Sequence, residues 1–226
     1  MAIRAQRSII PPTPLPPPGP RPKLEAKRLR IVEAAMRHFA ERGYHDARIE
    51  DLAIELGVAK GSIFQYFGSK SGVFLNAYKM AAHSLPKYLD CPANVRDKGF
   101  FDVLRYWLVR TEHMLQEDWI PYRVVLIGNY GVELSLKREI NRFLITEDPY
   151  GSAAVVRFAI SRGEVRSDVD PPMISSILEW TMERFQDALL TEELDPGLFP
   201  HPSDPEKNKI RIQQFLTILR GAIGAR

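Results

Sequence analysis

Residues 49–70 hold two short runs of helical apolar spacing parted by one glycine, and this arrangement leaves little choice of local fold. Ile49, Leu52, Ala53 and Leu56 recur on one face of a helix, with Glu50, Asp51 and Glu55 largely on the other. Gly57 can take the positive φ that stops a helix. Val58 follows as an apolar anchor for the turn, and Ile63 and Phe67, four apart, are the inward positions of a second helix. Two short helices joined by such a turn make a helix-turn-helix, whose second helix can enter the DNA major groove.

The outward positions of that second helix are polar. Lys60, Gly61 and Ser62 occupy its first turn, and Gln65 and Tyr66 lie one turn later. A helix N-terminus presents free backbone N–H groups and the positive end of the dipole, which suits phosphate. Lys and Ser can meet phosphate or base edges, Gln can pair bidentately with adenine, and Gly61 lets the backbone come close. Lys70 opens the next helix, where an ammonium reaches flanking phosphate.

Upstream, Ile31, Val32, Ala35 and Phe39 recur at helical spacing, and Gly43 ends that helix before Tyr44. The run from Arg30 to Tyr44, then Leu52-Ala53, Gly57-Val58, Gly61-Ser62-Ile63-Phe64, Tyr66-Phe67 and Ser69-Lys70, resembles the DNA-binding domain of the TetR family of transcriptional regulators. The likeness covers roughly residues 24–80. Three positions depart from the family pattern. Ala47 and Arg48 stand where a Thr or Ser usually opens the second helix, so Asp46 caps it instead or the cap is weak. Arg48 opposes the helix dipole there and is assigned to the phosphate backbone. Phe64 replaces the usual Tyr, and Ala59 the usual Ser or Thr, so the operator sequence does not carry over from relatives.

The resemblance implies a divergent helical C-terminal domain that binds a small molecule and dimerises. The function it implies is a ligand-responsive regulator, a repressor that binds a palindromic operator as a homodimer and is released by a small apolar or amphipathic effector. An architectural or regulatory DNA-binding protein controlled by a protein partner is the alternative. Physical reasoning supports pairing independently, because one three-helix head offers few base contacts. Two heads on a two-fold axis read half-sites about 34–36 Å apart.

Charge agrees with this division. Residues 1–80 hold 13 Lys and Arg against 7 Asp and Glu, whereas residues 81–226 hold 18 against 21. A basic end beside a mildly acidic remainder fits polyanion binding by the first part only. The single cysteine, Cys91, excludes an internal disulfide framework and a multi-Cys zinc site, and fits a reducing cytoplasm. No run of about 20 apolar residues is present, so no membrane span is expected.

Residues 1–22 form a tail with eight prolines and with Arg4, Arg7 and Arg21, expected to be disordered or to act as a basic arm on DNA. Residues 23–80 are the DNA-binding domain and 81–226 the ligand-binding and dimerisation domain. Helices are predicted over 24–42, 48–56 and 60–67, and from Lys70 to before Pro86, with a loop over 84–98. Beyond Phe100 the apolar spacing stays helical. Gly128 and Gly131 are candidate interruptions, and Asp148-Pro149 and Asp170-Pro171 read as helix starts. No strand-like alternation of useful length appears, and the chain is predicted to be all-α.

In the second part, Trp107, Thr111, Tyr130 and Phe158 are the candidate ligand-binding residues, chosen from aromatic-rich helices. The last two helices are apolar beyond one face, which nominates Ile177, Trp180, Phe185, Phe215 and Leu219 for a dimer interface. The five histidines form no i, i+4 metal pair, and the sequence holds no His-Glu-x-x-His, phosphate-loop or Gly-x-Ser-x-Gly motif. No enzymatic activity, metal or cofactor is expected.

Overall fold

A computed structural model of the chain describes residues 22–85, 87, 90–147, 151–192, 194–199 and 205–225. The tail before Pro22 and the Asp148-Pro149 helix start lie outside the described residues. The helices are α1 (Pro22–Asp46), α2 (Ile49–Leu56), α3 (Lys60–Phe67), α4 (Lys70–Ser84), α5 (Ala93–Arg96), α6 (Phe100–Glu117), α7 (Trp119–Tyr130), α8 (Leu134–Glu147), α9 (Gly151–Ser161), α10 (Pro171–Leu190) and α11 (Pro205–Ile223). Among the described residues there is no strand, only an isolated antiparallel bridge between Val165 and Gly224. The fold is all-α.

Packing divides the chain into two units that do not follow chain order. The first joins residues up to Asp90 with Asp118–Leu144; the second joins Cys91–Glu117 with the residues from Ile145 onward. In the first, α4 packs against both α1 and α7. Its centre is aromatic: the Phe74 ring meets Phe39 edge-on at 5.0 Å and Tyr44 at 5.2 Å, all three buried. In the second, α6 packs on α11 and α10, and α9 packs on α10. Phe100, Leu104, Leu108, Ile174, Leu178, Ile212 and Leu216 are buried there.

Local differences from the sequence reading have plain causes. Gly43, at φ 76°, breaks the direction of α1, and one further turn carries the chain to Asp46. Gly128 does not interrupt α7 but lies inside it, buried, where a Cβ would stand 2.5 Å from the Tyr78 ring. Gly131 is the residue that ends the helix, its N–H donating to the Ile127 carbonyl. The expected loop over 84–98 contains the single turn α5. Asp170 does precede α10, but its backbone carbonyl, not its side chain, receives the first N–H groups, from Met173 and Ile174.

Candidate nucleic-acid interface

The α2–α3 turn is built by Gly57. At φ 66° and ψ 35° it ends α2, with its N–H directed to the Ala53 and Ile54 carbonyls. The Val58 N–H donates back to Ala53 at 3.0 Å, which closes a Schellman-type stop. Val58 packs against the first-unit core, while Ile63 and Phe67 are buried in it. α3 is thereby fixed with its opposite face outward. Lys60, Gly61 and Gln65 are exposed, and Ser62 and Tyr66 are half-buried.

No side chain caps the start of α2. Arg48 is the N-cap residue in extended conformation and offers no side-chain cap; Asp46 does not replace it. The buried His38, on α1, has Nε2 at 3.0 Å from the Arg48 carbonyl, which fixes that backbone without capping the first N–H groups of α2. A carbonyl only accepts, so Nε2 carries the proton in this bond. The Arg48 side chain stays exposed. Sequence reading passed over His38 as a scattered histidine, although its spacing from Ile31 and Ala35 puts it on the buried face of α1.

Electrostatics around the turn are closely matched. Lys60 bonds Glu50, Arg42 pairs with Asp51 at 2.7 Å, and Arg37 with Glu55 at 3.6 Å. The bond from Lys60 holds the Glu50 carboxyl below its usual pKa. These pairs are exposed, so each contributes little and its cation can exchange a carboxylate for a phosphate. Lys70 donates to the His45 carbonyl at 2.8 Å, and its ammonium lies 5.0 Å from the centre of the Tyr44 ring. Burial lowers its pKa, and nearby carboxylates, Glu133 first, partly oppose that shift.

Tyr44 in turn donates its hydroxyl to Glu133 at 2.9 Å, linking α1 to the segment between α7 and α8. Burial, then the bond and charge of Glu133, raise its pKa to about 12. No local sequence signal announces a pair 89 residues apart.

Of the expected ligand-binding residues, three lie in the second unit and one in the first. Trp107 and Thr111 sit one turn apart on α6, where the buried Thr111 hydroxyl donates to the Trp107 carbonyl at 2.9 Å. Phe158, 61% exposed, lies on α9 of the same unit, and Tyr130 ends α7 in the first unit. A groove of about 380 Å³ opens between α6 and α11, lined by Phe101, Asp102, Arg105, Gln213, Leu216, Thr217 and Arg220. None of the four expected residues lines it.

Of the residues nominated for dimerisation, Phe185 and Leu219 are buried in the core of their own unit, and Phe185 stacks on Phe215 at 4.0 Å. Those three side chains are turned inward by packing between α10 and α11. Trp180 is 65% exposed, and Ile177 is half-buried.

The α2–Gly57–α3 frame on an all-α chain defines a helix-turn-helix DNA-binding protein. Residues 31–77 match the family model described as bacterial regulatory proteins, tetR family. The chain is 26% identical over 173 residues to the HTH-type transcriptional repressor AcnR of Corynebacterium glutamicum, covering 76% of this chain and 86% of that one. The fold also matches the regulator FadR of Bacillus subtilis in complex with stearoyl-CoA, with TM-score 0.62 and 18% identity over 84% of this chain and 96% of that one. A regulator from Saccharomonospora viridis in complex with choline matches with TM-score 0.59 and 22% identity, over 89% of this chain and 100% of the other. Residues 31–77 are thus a tetR-family DNA-binding head, and the similarity to the repressor AcnR extends along most of both chains. Among the described residues no helix is long and apolar enough to cross a membrane.

Proposed function

We propose that this regulator is a repressor that binds a palindromic operator as a homodimer and is released by a small amphipathic effector. The observation that carries the DNA-reading part is the outward face of α3. Its buried face is fixed by Ile63 and Phe67, which leaves Lys60, Gly61 and Gln65 exposed beside Ser62 and Tyr66. Gln65 reads a base, Lys60 exchanges Glu50 for phosphate, and Arg48 and Lys70 meet the flanking backbone. Repression is supported by the similarity to AcnR along most of both chains.

Control by an effector is supported by the two folds of this kind that hold stearoyl-CoA and choline. In this chain the groove between α6 and α11 combines the apolar Phe101 and Leu216 with the charged Asp102, Arg105 and Arg220, which suits an amphipathic ligand. Trp107 and Thr111, farther along α6, remain candidates for contact with it. The residues from 81 onward are assigned to effector binding and pairing.

Selection of binding sites from a random duplex library tests the reading. The wild-type chain is expected to enrich an inverted repeat. Gln65→Ala is expected to relax preference at one base pair per half-site, by about 1–3 kcal/mol. Enrichment of no sequence, or unchanged selectivity in the variant, would overturn the assignment of α3.

A further inference from the structure

We propose that Glu133, on the corner between α7 and α8, restrains DNA binding: through Tyr44 it holds the Lys70 ammonium against α1, and phosphate has to compete with it for that charge. The proposal rests on Lys70 meeting the flanking DNA backbone. It adds a determinant of affinity outside residues 31–77, the stretch that matches the family model.

Two charges meet the same ring. The Tyr44 hydroxyl donates to the Glu133 carboxylate at 2.9 Å. The Lys70 ammonium lies 5.0 Å from the centre of the Tyr44 ring and donates to the His45 carbonyl at 2.8 Å. Tyr44 is buried, stacked on Phe39 at 6.1 Å and edge-on to Phe74, so it is a fixed bridge between the two. A hydroxyl that donates to a carboxylate gains electron density, which strengthens the pull of its ring on a cation. The ammonium is thereby held by a carbonyl and by an aromatic ring backed by a negative charge.

The corner that carries Glu133 is firmly built. The Gly131 N–H donates to the Ile127 carbonyl, and the Lys137 N–H donates to the Glu133 carbonyl at 3.0 Å. Lys137, the cation one turn along α8, donates its ammonium to the Asn129 carbonyl at 2.7 Å. Ile127, Leu136 and Ile140 are buried in the same core as Phe39, Tyr44 and Phe74. Of the carboxylates whose charge acts on Lys70, Glu133 is the strongest, ahead of Asp46 and Glu50. Asp46 ends α1, and Glu50 is bonded to Lys60. Glu133 alone of these comes from outside the helix-turn-helix. Lys70 is half-buried and Glu133 exposed, so the charge reduces the attraction for phosphate by a few fold and not by orders of magnitude.

Anisotropy titrations of the full-length protein test this on two duplexes, the one recovered by selection with the wild-type chain and a scrambled duplex of equal composition. Glu133→Gln removes the charge but leaves an acceptor for the Tyr44 hydroxyl. Near 50 mM salt it is expected to bind both duplexes about two- to fivefold more tightly than wild type, the gain fading as salt rises. Lys70→Ala is expected to weaken binding to both. In the Lys70→Ala background, Glu133→Gln is expected to change nothing, because the cation it acts through is gone. Glu139→Gln, an equal loss of charge at an exposed position of α8, is expected to keep the wild-type affinity. Unchanged or weaker binding by Glu133→Gln overturns the proposal. So does an equal gain with Lys70 absent, or an equal gain in Glu139→Gln, since either reduces the effect to net charge. Lys70→Ala binding as tightly as wild type would instead remove the phosphate assignment beneath the proposal, a failure that the single variant identifies by itself.

Discussion

Tyr44 shows how one buried polar contact can link segments far apart in sequence. Its ring is 7% exposed, and its hydroxyl reaches Glu133 across the packing of α1 against α7. Glu133 is itself exposed, so Tyr44→Phe strands no buried charge, and the loss is expected to be about 1 kcal/mol. A pH series adds a sharper signature. Tyr44 is neutral in its bonded form, and its folded-state pKa is raised from 10.0 to about 12. Its contribution is complete below pH 10 and disappears as pH rises through 12. Denaturant titrations of both proteins are expected to show the wild-type advantage shrinking across that window. A constant difference would mean that the hydroxyl is not held as observed. Gly61 offers the complementary case, a residue proposed to matter to DNA and not to folding. A Cβ there meets nothing within 4 Å, and its φ is not positive. Gly61→Ala is expected to leave stability equal or slightly higher while weakening duplex binding at least fivefold. Equal affinity would show that the backbone does not approach DNA closely at this position.

At the scale of elements, short-range chemistry was legible and long-range pairing was not. The α2–Gly57–α3 turn could be read because every determinant lies within twenty residues: an apolar stripe, a left-handed glycine and two inward side chains. The same was true of α6, α10 and α11, whose apolar spacing marks them as helices. What could not be read is the alliance of α7 and α8 with the helices of the DNA-reading head, because it depends on surfaces distant in sequence. Gly128 illustrates the gap. A glycine in a helical run signals a break, yet here it admits the Tyr78 ring of α4 against the α7 backbone. Tyr78 is 1% exposed and cannot swing aside. Gly128→Ala would gain about 1 kcal/mol of helix propensity but force overpacking that costs about 1–3 kcal/mol. The clash is expected to prevail, lowering the denaturation midpoint at unchanged m-value. A variant more stable than the parent would show that α4 and α7 are not so closely apposed.

For the whole molecule, the proposed pairing of two heads depends on which apolar side chains face outward, and burial bears on that directly. Apolar character alone nominated five residues for pairing, but it does not distinguish a side chain facing its own core from one facing a partner. Phe185, Phe215 and Leu219 belong to the packing within the second unit. The outward apolar residues are instead Met173 and Trp180 on α10, with the half-buried Ile177 between them, and Ile210 and Ile218 on α11. On α10 the three follow at i, i+4 and i+7; on α11 Ile210, Gln214 and Ile218 follow at i, i+4 and i+8. Exposed apolar rows of this kind mark interaction surfaces, and two helices from each copy can close a four-helix bundle. Trp180→Glu combined with Ile218→Glu removes no core contact, since the two side chains are 65% and 73% exposed. The double variant is therefore expected to keep its helicity while sedimenting as a monomer, with a thermal midpoint that no longer depends on protein concentration. A lone head loses the benefit of its tethered partner, so binding to an inverted repeat is expected to fall by about 10²–10⁴-fold, while binding to an isolated half-site changes little. A double variant that remains dimeric, or that loses half-site binding equally, would move the pairing surface away from α10 and α11.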